Sequence, residues 1–346
     1  MTNILIVDDS TVFRGLTRKI IESSFNVQKV NTASNGQKAL DLLEKDFYDL
    51  VFLDVEMPVL DGIKTAPLIT EKYPKTKIVI LSAMTIEEAS KSIPAISHGG
   101  IDFVRKPSGA NLTENQDSLR KQIIEKVQTL TGENLLSDEK VSTNLSLRDL
   151  PNNFLGAKAL CIGCSTGGPT ALIKLLSQMH KPISIPIFIV QHIPVNFAET
   201  LAKRISETIK TPTLVAQDNQ EVVAGNIYIA PGDFHMEVVK KEKKLFISLN
   251  QNPPENFCRP AVDVLFRSLA NIYPNSLLSI ILTGMGEDGK KGAEVIVENG
   301  GILLAQDEES STVWGMPGAV AKAGLCHFIG NIDNIEREAR KYIRGN

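Results

Sequence analysis

The chain has too few cysteines to be held together by disulfides: four in 346 residues, where small secreted folds rely on a dense framework. Cys161 and Cys164 stand at C-x-x-C spacing. Cys161, however, falls inside the apolar run "AKALCIG", and an odd separation along a strand puts the two thiols on opposite faces. They are read as small packing residues. Cys258 and the adjacent Cys326 and His327 do not complete a zinc-ligand spacing. An excess of either charge is also lacking. A net charge of −3 leaves no basic footprint, so no nucleic-acid partner is expected. No run reaches the ~18 apolar residues of a membrane helix; "ISIPIFIVQHIPV" is short and interrupted by proline and polar residues. The start, "MTNILIVDDS", has no basic segment followed by a long apolar one. The expectation is a cytoplasmic protein without direct membrane insertion.

What is present is an α/β rhythm, twice. Through residues 1–130, "ILIVD", "VQKVNTA", "LVFLD", "KIVILSA" and "IDFVRKP" read as five strands separated by amphipathic helices. That alternation predicts a doubly wound, five-stranded parallel sheet. Residues 131–155 are polar, rich in Ser, Thr and Asn, and lack periodicity, which predicts a linker. From residue 156 to 346 strand and helix signals resume as a second α/β parallel-sheet domain. Within it "GNIYIAPGDFHMEVVKKEKKLFISL" reads as an antiparallel β insertion.

In the first domain Asp8 and Asp9 follow the first strand, Asp54 ends the third, Ser82 ends the fourth and Lys106 follows the fifth. Carboxyl ends of the strands in a doubly wound sheet share one crevice. Three carboxylates gathered there repel unless a cation balances them, and Mg²⁺ is the hard, oxygen-seeking ion that fits. The joint set "VDDS", "LDVEMPVLDG", "LSA" and "RKPS" resembles the receiver domain of two-component response regulators. The resemblance implies that Asp54 accepts a phosphoryl group from a histidine kinase. It implies an Mg²⁺ site formed by Asp8, Asp9, Asp54 and the backbone carbonyl of Glu56, and a phosphoryl switch through Ser82, Phe103 and Lys106. Pro67 and Pro94 fall in the expected third and fourth helices, where each removes a hydrogen bond and predicts an irregularity.

In the second domain "LTGMGEDG" follows the apolar run "SLLSIIL" and places Gly284, Gly286 and Gly289 at G-x-G-x-x-G spacing, with Asp307 ending the next run. The spacing is that of a dinucleotide fingerprint, but Glu287 and Asp288 would repel a pyrophosphate where it must meet the helix start. An acid at a helix N-terminus is held ionised by the dipole. "GCSTGGP" puts Ser165 on a glycine-rich strand-to-helix turn, and "IPIFIVQH" ends in His192. Ser165, His192 and Asp288 each follow an apolar strand, so all three are expected at one carboxyl edge, as nucleophile, base and orienting acid. Backbone N–H groups near Thr166 and Met285 are the expected oxyanion donors.

The set "GCSTGGP", "QHIP", "NIYIAPGDFHM", "RPAVDVLF", "LTGMGEDG", "AQDEES" and "GMPGAV" resembles the chemotaxis protein-glutamate methylesterase family, a methylesterase domain behind a receiver. The resemblance implies hydrolysis of glutamate γ-methyl esters on methyl-accepting chemoreceptors, with deamidation of receptor glutamines, and no cofactor for the ester chemistry. A phosphorylatable switch tethered to a hydrolase by a short polar linker leads to the further expectation that the unphosphorylated receiver packs over the catalytic crevice and restrains the esterase.

Overall fold

The computed structural model describes residues 2–82, 100–106, 112–132, 145–179, 184–193, 197–256 and 258–343. The chain divides into two compact units, residues 1–141 and 142–346.

The first unit is built on five short apolar strands, β1 (Asn3–Val7), β2 (Lys29–Ala33), β3 (Leu50–Asp54), β4 (Lys77–Ser82) and β5 (Gly100–Arg105). They form a parallel sheet in the order β2-β1-β3-β4-β5. Every residue of β3 is buried, as expected for a strand covered on both faces. Helices α2 (Gly36–Leu43) and α3 (Gly62–Lys72) bury Ala39, Leu43, Ala66 and Ile69 in the core on one face. On the other, α1 (Thr11–Ser24) packs with α4 (Leu112–Thr131) through Ile20, Ile21, Leu119, Ile123 and Val127. Pro67 does not interrupt α3, which runs on to Lys72. Asn35 and Asp61 cap α2 and α3 through the N–H groups of Lys38 and Lys64, at 2.9 and 2.8 Å. The helix expected around Pro94 lies outside the described residues.

The second unit carries seven parallel strands: β6 (Ala159–Cys164), β7 (Ile187–Gln191), β8 (Thr213–Val215), β9 (Ile227–Ile229), β12 (Leu277–Ile281), β13 (Ile302–Gln306) and β14 (Phe328–Gly330). Their order is β14-β13-β12-β6-β7-β9-β8. The chain thus builds outward from β6 in one direction and later, from β12, in the other. The β6/β12 junction is the switch point, where the carboxyl ends of such a sheet open a crevice. Helices α5 (Gly168–Gln178), α6 (Phe197–Ile209) and α10 (Ile332–Ile343) cover one face. Helices α7 (Val262–Ile272), α8 (Lys290–Glu298) and α9 (Met316–Lys322) cover the other.

Two expectations need correction. The antiparallel insertion is smaller than the sequence suggests: among the described strands β10 (His235–Lys241) and β11 (Lys244–Asn250) pair antiparallel, with an isolated antiparallel bridge from Phe246 of β11 to Glu221, while β9 joins the parallel sheet beside β7. Nor is the whole of 131–155 a free tether. Arg148 N donates to Cys326 O, Leu155 N donates to Asn275 O, and Phe154 meets Tyr342 edge-on at 5.8 Å. The polar composition hid one aromatic anchor whose burial fastens residues 148–155 to the second unit. Among the described residues no helix is long and apolar enough to cross a membrane.

Candidate active site

At the carboxyl edge of the second sheet, three strand ends supply the chemistry. Ser165 follows β6 and donates its N–H to Thr283 O at 3.0 Å, which ties the serine turn to the end of β12. His192 follows β7, its N–H donated to Cys164 O at 3.1 Å. Gln191 fastens the two ends together: its buried Nε2 donates to Ser165 O at 2.9 Å and to His192 O at 3.3 Å. Thr283 Oγ1 donates to Thr166 O at 2.9 Å. Thr166 is buried and Met285 half-buried, both beside the serine turn. The sequence reading missed Gln191 and Thr283. The one signal was a polar residue at the last inward position of an otherwise apolar strand.

Gly284 lets these segments meet. A Cβ there would stand 2.9 Å from Ser165 N and 2.4 Å from Met316 Sδ, so any side chain would push the β12 loop off the serine. Gly286 has room around it but sits at φ +78°, the left-handed backbone that glycine adopts without penalty. The glycines thus shape the loop that brings Asp288 inward.

Asp288 is buried and saturated with donors. Its Oδ2 accepts from Val262 N at 2.7 Å and contacts His192 Nε2 at 2.7 Å. Its Oδ1 accepts from Asp263 N at 3.1 Å, Gly289 N at 2.9 Å and Asn256 Nδ2 at 3.0 Å. The carboxylate therefore sits against the N-terminus of α7, where backbone N–H groups favour negative charge. Burial opposes that charge, but the His192 contact and the N–H groups of Val262 and Asp263 outweigh it and hold the pKa below the ordinary range. Asp263, also unforeseen, accepts from Gly292 N at 2.7 Å and from Asn256 Nδ2 at 2.8 Å, yet burial raises its pKa.

For His192, burial disfavours the charged form, while Cys258 and Asp288 together raise its pKa. With Nε2 on Asp288, the other ring nitrogen, Nδ1, faces Cys258 Sγ at 3.5 Å. The Ser165 hydroxyl makes no hydrogen bond among the described residues. The structure thus joins His192 and Asp288, sets Ser165 on the neighbouring strand end, and puts at the free imidazole nitrogen a cysteine that spacing had set aside. Next to the crevice Glu287, Lys290, Trp314, Gly315 and Lys322 line an open cavity of about 410 Å³, with Lys322 Nζ 5.5 Å above the Trp314 ring.

The first unit has its own cluster. Oxygens of Asp8, Asp9 and Asp54 lie within 4.8 Å of one another. Lys106 Nζ stands 2.6 Å from Asp8 Oδ2 and 2.7 Å from Asp54 Oδ2, and 5.1 Å from the centre of the Phe13 ring. Burial raises the Asp54 carboxyl to about 6 despite the attraction of Lys106, with Asp8 and Asp9 adding to the rise. Apart from the Lys106 ammonium, the buried Asp8 Oδ2 has no hydrogen-bond partner among the described residues. Three carboxylates crowded around one ammonium, all oxygen donors within 4.8 Å, fit a hard divalent cation. Glu56, two residues beyond Asp54, is exposed, and Phe103 is half-buried in β5 against the core. Ser82 ends β4 and pairs with Arg105; its side chain lies outside the described residues.

The CheB methylesterase family model matches residues 160–339, and the response regulator receiver domain model matches residues 4–116. A protein-glutamate methylesterase/protein-glutamine glutaminase of Azospirillum brasilense is 36% identical, the match covering 98% of this chain and 92% of that protein. One of the same description from Trichodesmium erythraeum is 39% identical, covering 98% of each. The solved Thermotoga maritima CheB methylesterase catalytic domain matches with a TM-score of 0.52 at 37% identity, covering 54% of this chain and 98% of that one.

Proposed function

Since the chain belongs to the CheB methylesterase family, with a response regulator receiver domain ahead of the esterase unit, we propose that it is a phosphorylation-activated serine hydrolase. Its substrates are glutamate γ-methyl esters on methyl-accepting chemoreceptors, from which it releases methanol, and it deamidates receptor glutamines. The relatives named as methylesterase and glutaminase along nearly their whole length support this reading. The observation that carries it is the buried Asp288 carboxylate held on His192 beside the Ser165 turn.

Ser165 Oγ attacks the ester carbonyl while His192 takes its proton, and Asp288 steadies the imidazolium that forms. Methanol leaves with that proton; water activated by His192 then releases the glutamate. Because Nε2 is committed to Asp288, Nδ1 is the nitrogen that serves the serine. In this reading it exchanges its Cys258 contact for Ser165 when substrate arrives. Backbone donors near Thr166 and Met285 face the oxyanion. A methyl ester is small, so recognition falls to the surrounding protein surface. In the cavity lined by Glu287, Lys290, Trp314 and Lys322, Lys290 pairs with Glu287, and Lys322 is the cation suited to a neighbouring acidic side chain of the substrate.

In the receiver, Asp54 takes the phosphoryl group from a chemotaxis histidine kinase. Asp8, Asp9, Asp54 and the Glu56 carbonyl would hold Mg²⁺, which supplies charge neutralisation for the incoming phosphoryl group. Lys106 already pairs with Asp54 and is placed to follow its change of charge, with Ser82 and Phe103 completing the switch. The unphosphorylated receiver restrains the esterase unit, and phosphorylation shifts the population toward the active arrangement.

A serine-directed fluorophosphonate tests the nucleophile. It is expected to label the acetyl-phosphate-treated chain at Ser165, and labelling at no site or only at another residue would remove the hydrolase reading.

A further inference from the structure

Cys258 is half-buried, and its Sγ lies 3.5 Å from His192 Nδ1. The opposite ring nitrogen is fixed by Asp288 at 2.7 Å, and Asp288 is fixed in turn by four further N–H donors. The carboxylate contact therefore keeps Nδ1, and not Nε2, as the ring nitrogen on the side of the sulfur. Thiol, imidazole and carboxylate stand in line, the order in which a carboxylate-backed histidine draws the proton from a nucleophile. Neither the family match nor the ester mechanism gives the sulfur a role.

We infer that Cys258 is a reactive-thiol modification site, open to peroxides and other soft electrophiles, and that its modification silences the esterase by occupying His192. The inhibitory half of this inference rests on the proposed role of His192 as base; the thiol reactivity does not.

The chemistry balances within the site. The thiol proton moves to His192 Nδ1, leaving a thiolate. The sulfur attacks one peroxide oxygen; an S–O bond forms and the O–O bond breaks. Sulfur is oxidised by two electrons, and the peroxide is reduced to hydroxide, which takes the proton from His192 and leaves as water. The product is a sulfenic acid facing His192 Nδ1. Two equivalents of a small thiol reverse the change, giving the thiol, a molecule of water and the reductant's disulfide.

Selectivity follows from position. Cys161, Cys164 and Cys326 are buried, and burial pushes the Cys161 and Cys326 thiols up to about 12 and that of Cys164 well above its ordinary value. Each is shielded from reagent and held as the unreactive thiol. Cys258 alone among the four combines exposure with a proton acceptor.

The test treats the full chain with hydrogen peroxide in the presence of dimedone, which traps sulfenic acids, and maps the adduct by mass spectrometry. The adduct is expected at Cys258, with the other three cysteines unmodified, and should form at least tenfold more slowly in His192→Gln. In the second arm, peroxide without dimedone abolishes ester hydrolysis by the wild type and dithiothreitol restores it. Cys258→Ser and Cys258→Ala, each compared with its own untreated rate, resist the same treatment. Adduct spread over all four cysteines, or unchanged labelling in His192→Gln, would overturn the reactive site. If both Cys258 variants lose activity as fast as the wild type, the inhibitory role is wrong. A chain that labels at Cys258 but hydrolyses no ester before treatment would leave the thiol site standing and count against the esterase reading.

Discussion

At Asp288 one carboxylate accepts from Val262, Asp263 and Gly289 N–H groups and from Asn256 while it contacts His192. Asp288→Asn keeps the shape but turns an amide donor toward groups that already donate. Removing one member of a buried charged pair costs about 3–5 kcal/mol, and a wrong imidazole tautomer lowers kcat on the order of 10⁴-fold in the best-studied triad. The variant should therefore melt earlier and lose nearly all methanol release; a variant with near-normal kcat would remove Asp288 from the mechanism. Asp54 makes the opposite prediction for stability. Its folded pKa, raised by burial to about 6 from the ordinary 3.8, gives a contribution that is present below about 3.8 and lost as pH rises through about 6. The ionised carboxylate thus costs about 3 kcal/mol at neutral pH when no divalent cation is present. Calorimetry in a chelating buffer should show Asp54→Asn melting above the wild type at pH 7.5, with the gain gone at pH 4. An equal gain at both pH values would mean that burial of the charge is not its source.

Among the elements, the loop after β12 decides whether the three strand ends act together. Gly284→Ala would drive a methyl group to within 2.4 Å of Met316 Sδ and 2.9 Å of Ser165 N. Overpacking of this kind costs typically about 1–3 kcal/mol, and the displaced serine should lower kcat by at least tenfold with KM less affected. Gln191→Leu removes the amide that links the ends of β6 and β7; it too should act on kcat rather than on KM. A change confined to KM in either variant would place these residues in substrate binding instead. Ser165, His192 and Asp288 were legible in the sequence because each directly follows an apolar strand or its glycine loop. Cys258 was not, since it sits in the non-periodic stretch between β11 and α7, where spacing says nothing about what is near in space. Strand β9 was drawn into the antiparallel insertion because three residues, Ile227–Ile229, carry no signal that tells a parallel partner from a hairpin. Pro67 looked like a helix breaker, yet α3 continues past it, its two ends held by the Asp61 cap and by the burial of Ala66 and Ile69. Tertiary packing there outweighs one lost backbone hydrogen bond.

For the whole molecule, two α/β units were readable from their rhythm. The extent of the tether was not, because Phe154 and the backbone of Arg148 and Leu155 anchor its second half. The two units have separate chemistry, a carboxylate cluster in one and a serine turn in the other. Coupling between them predicts that acetyl phosphate raises the esterase rate of the full chain and leaves Asp54→Asn at its basal rate; equal stimulation of both would dissociate the receiver from control. The most direct test of the account is methanol release from a methylated chemoreceptor cytoplasmic fragment, comparing the acetyl-phosphate-treated wild type with Ser165→Ala. The account predicts steady release by the wild type and loss of at least 10³-fold in the variant, in line with removal of a catalytic nucleophile. Release that persists in Ser165→Ala, or none from the wild type, would contradict it.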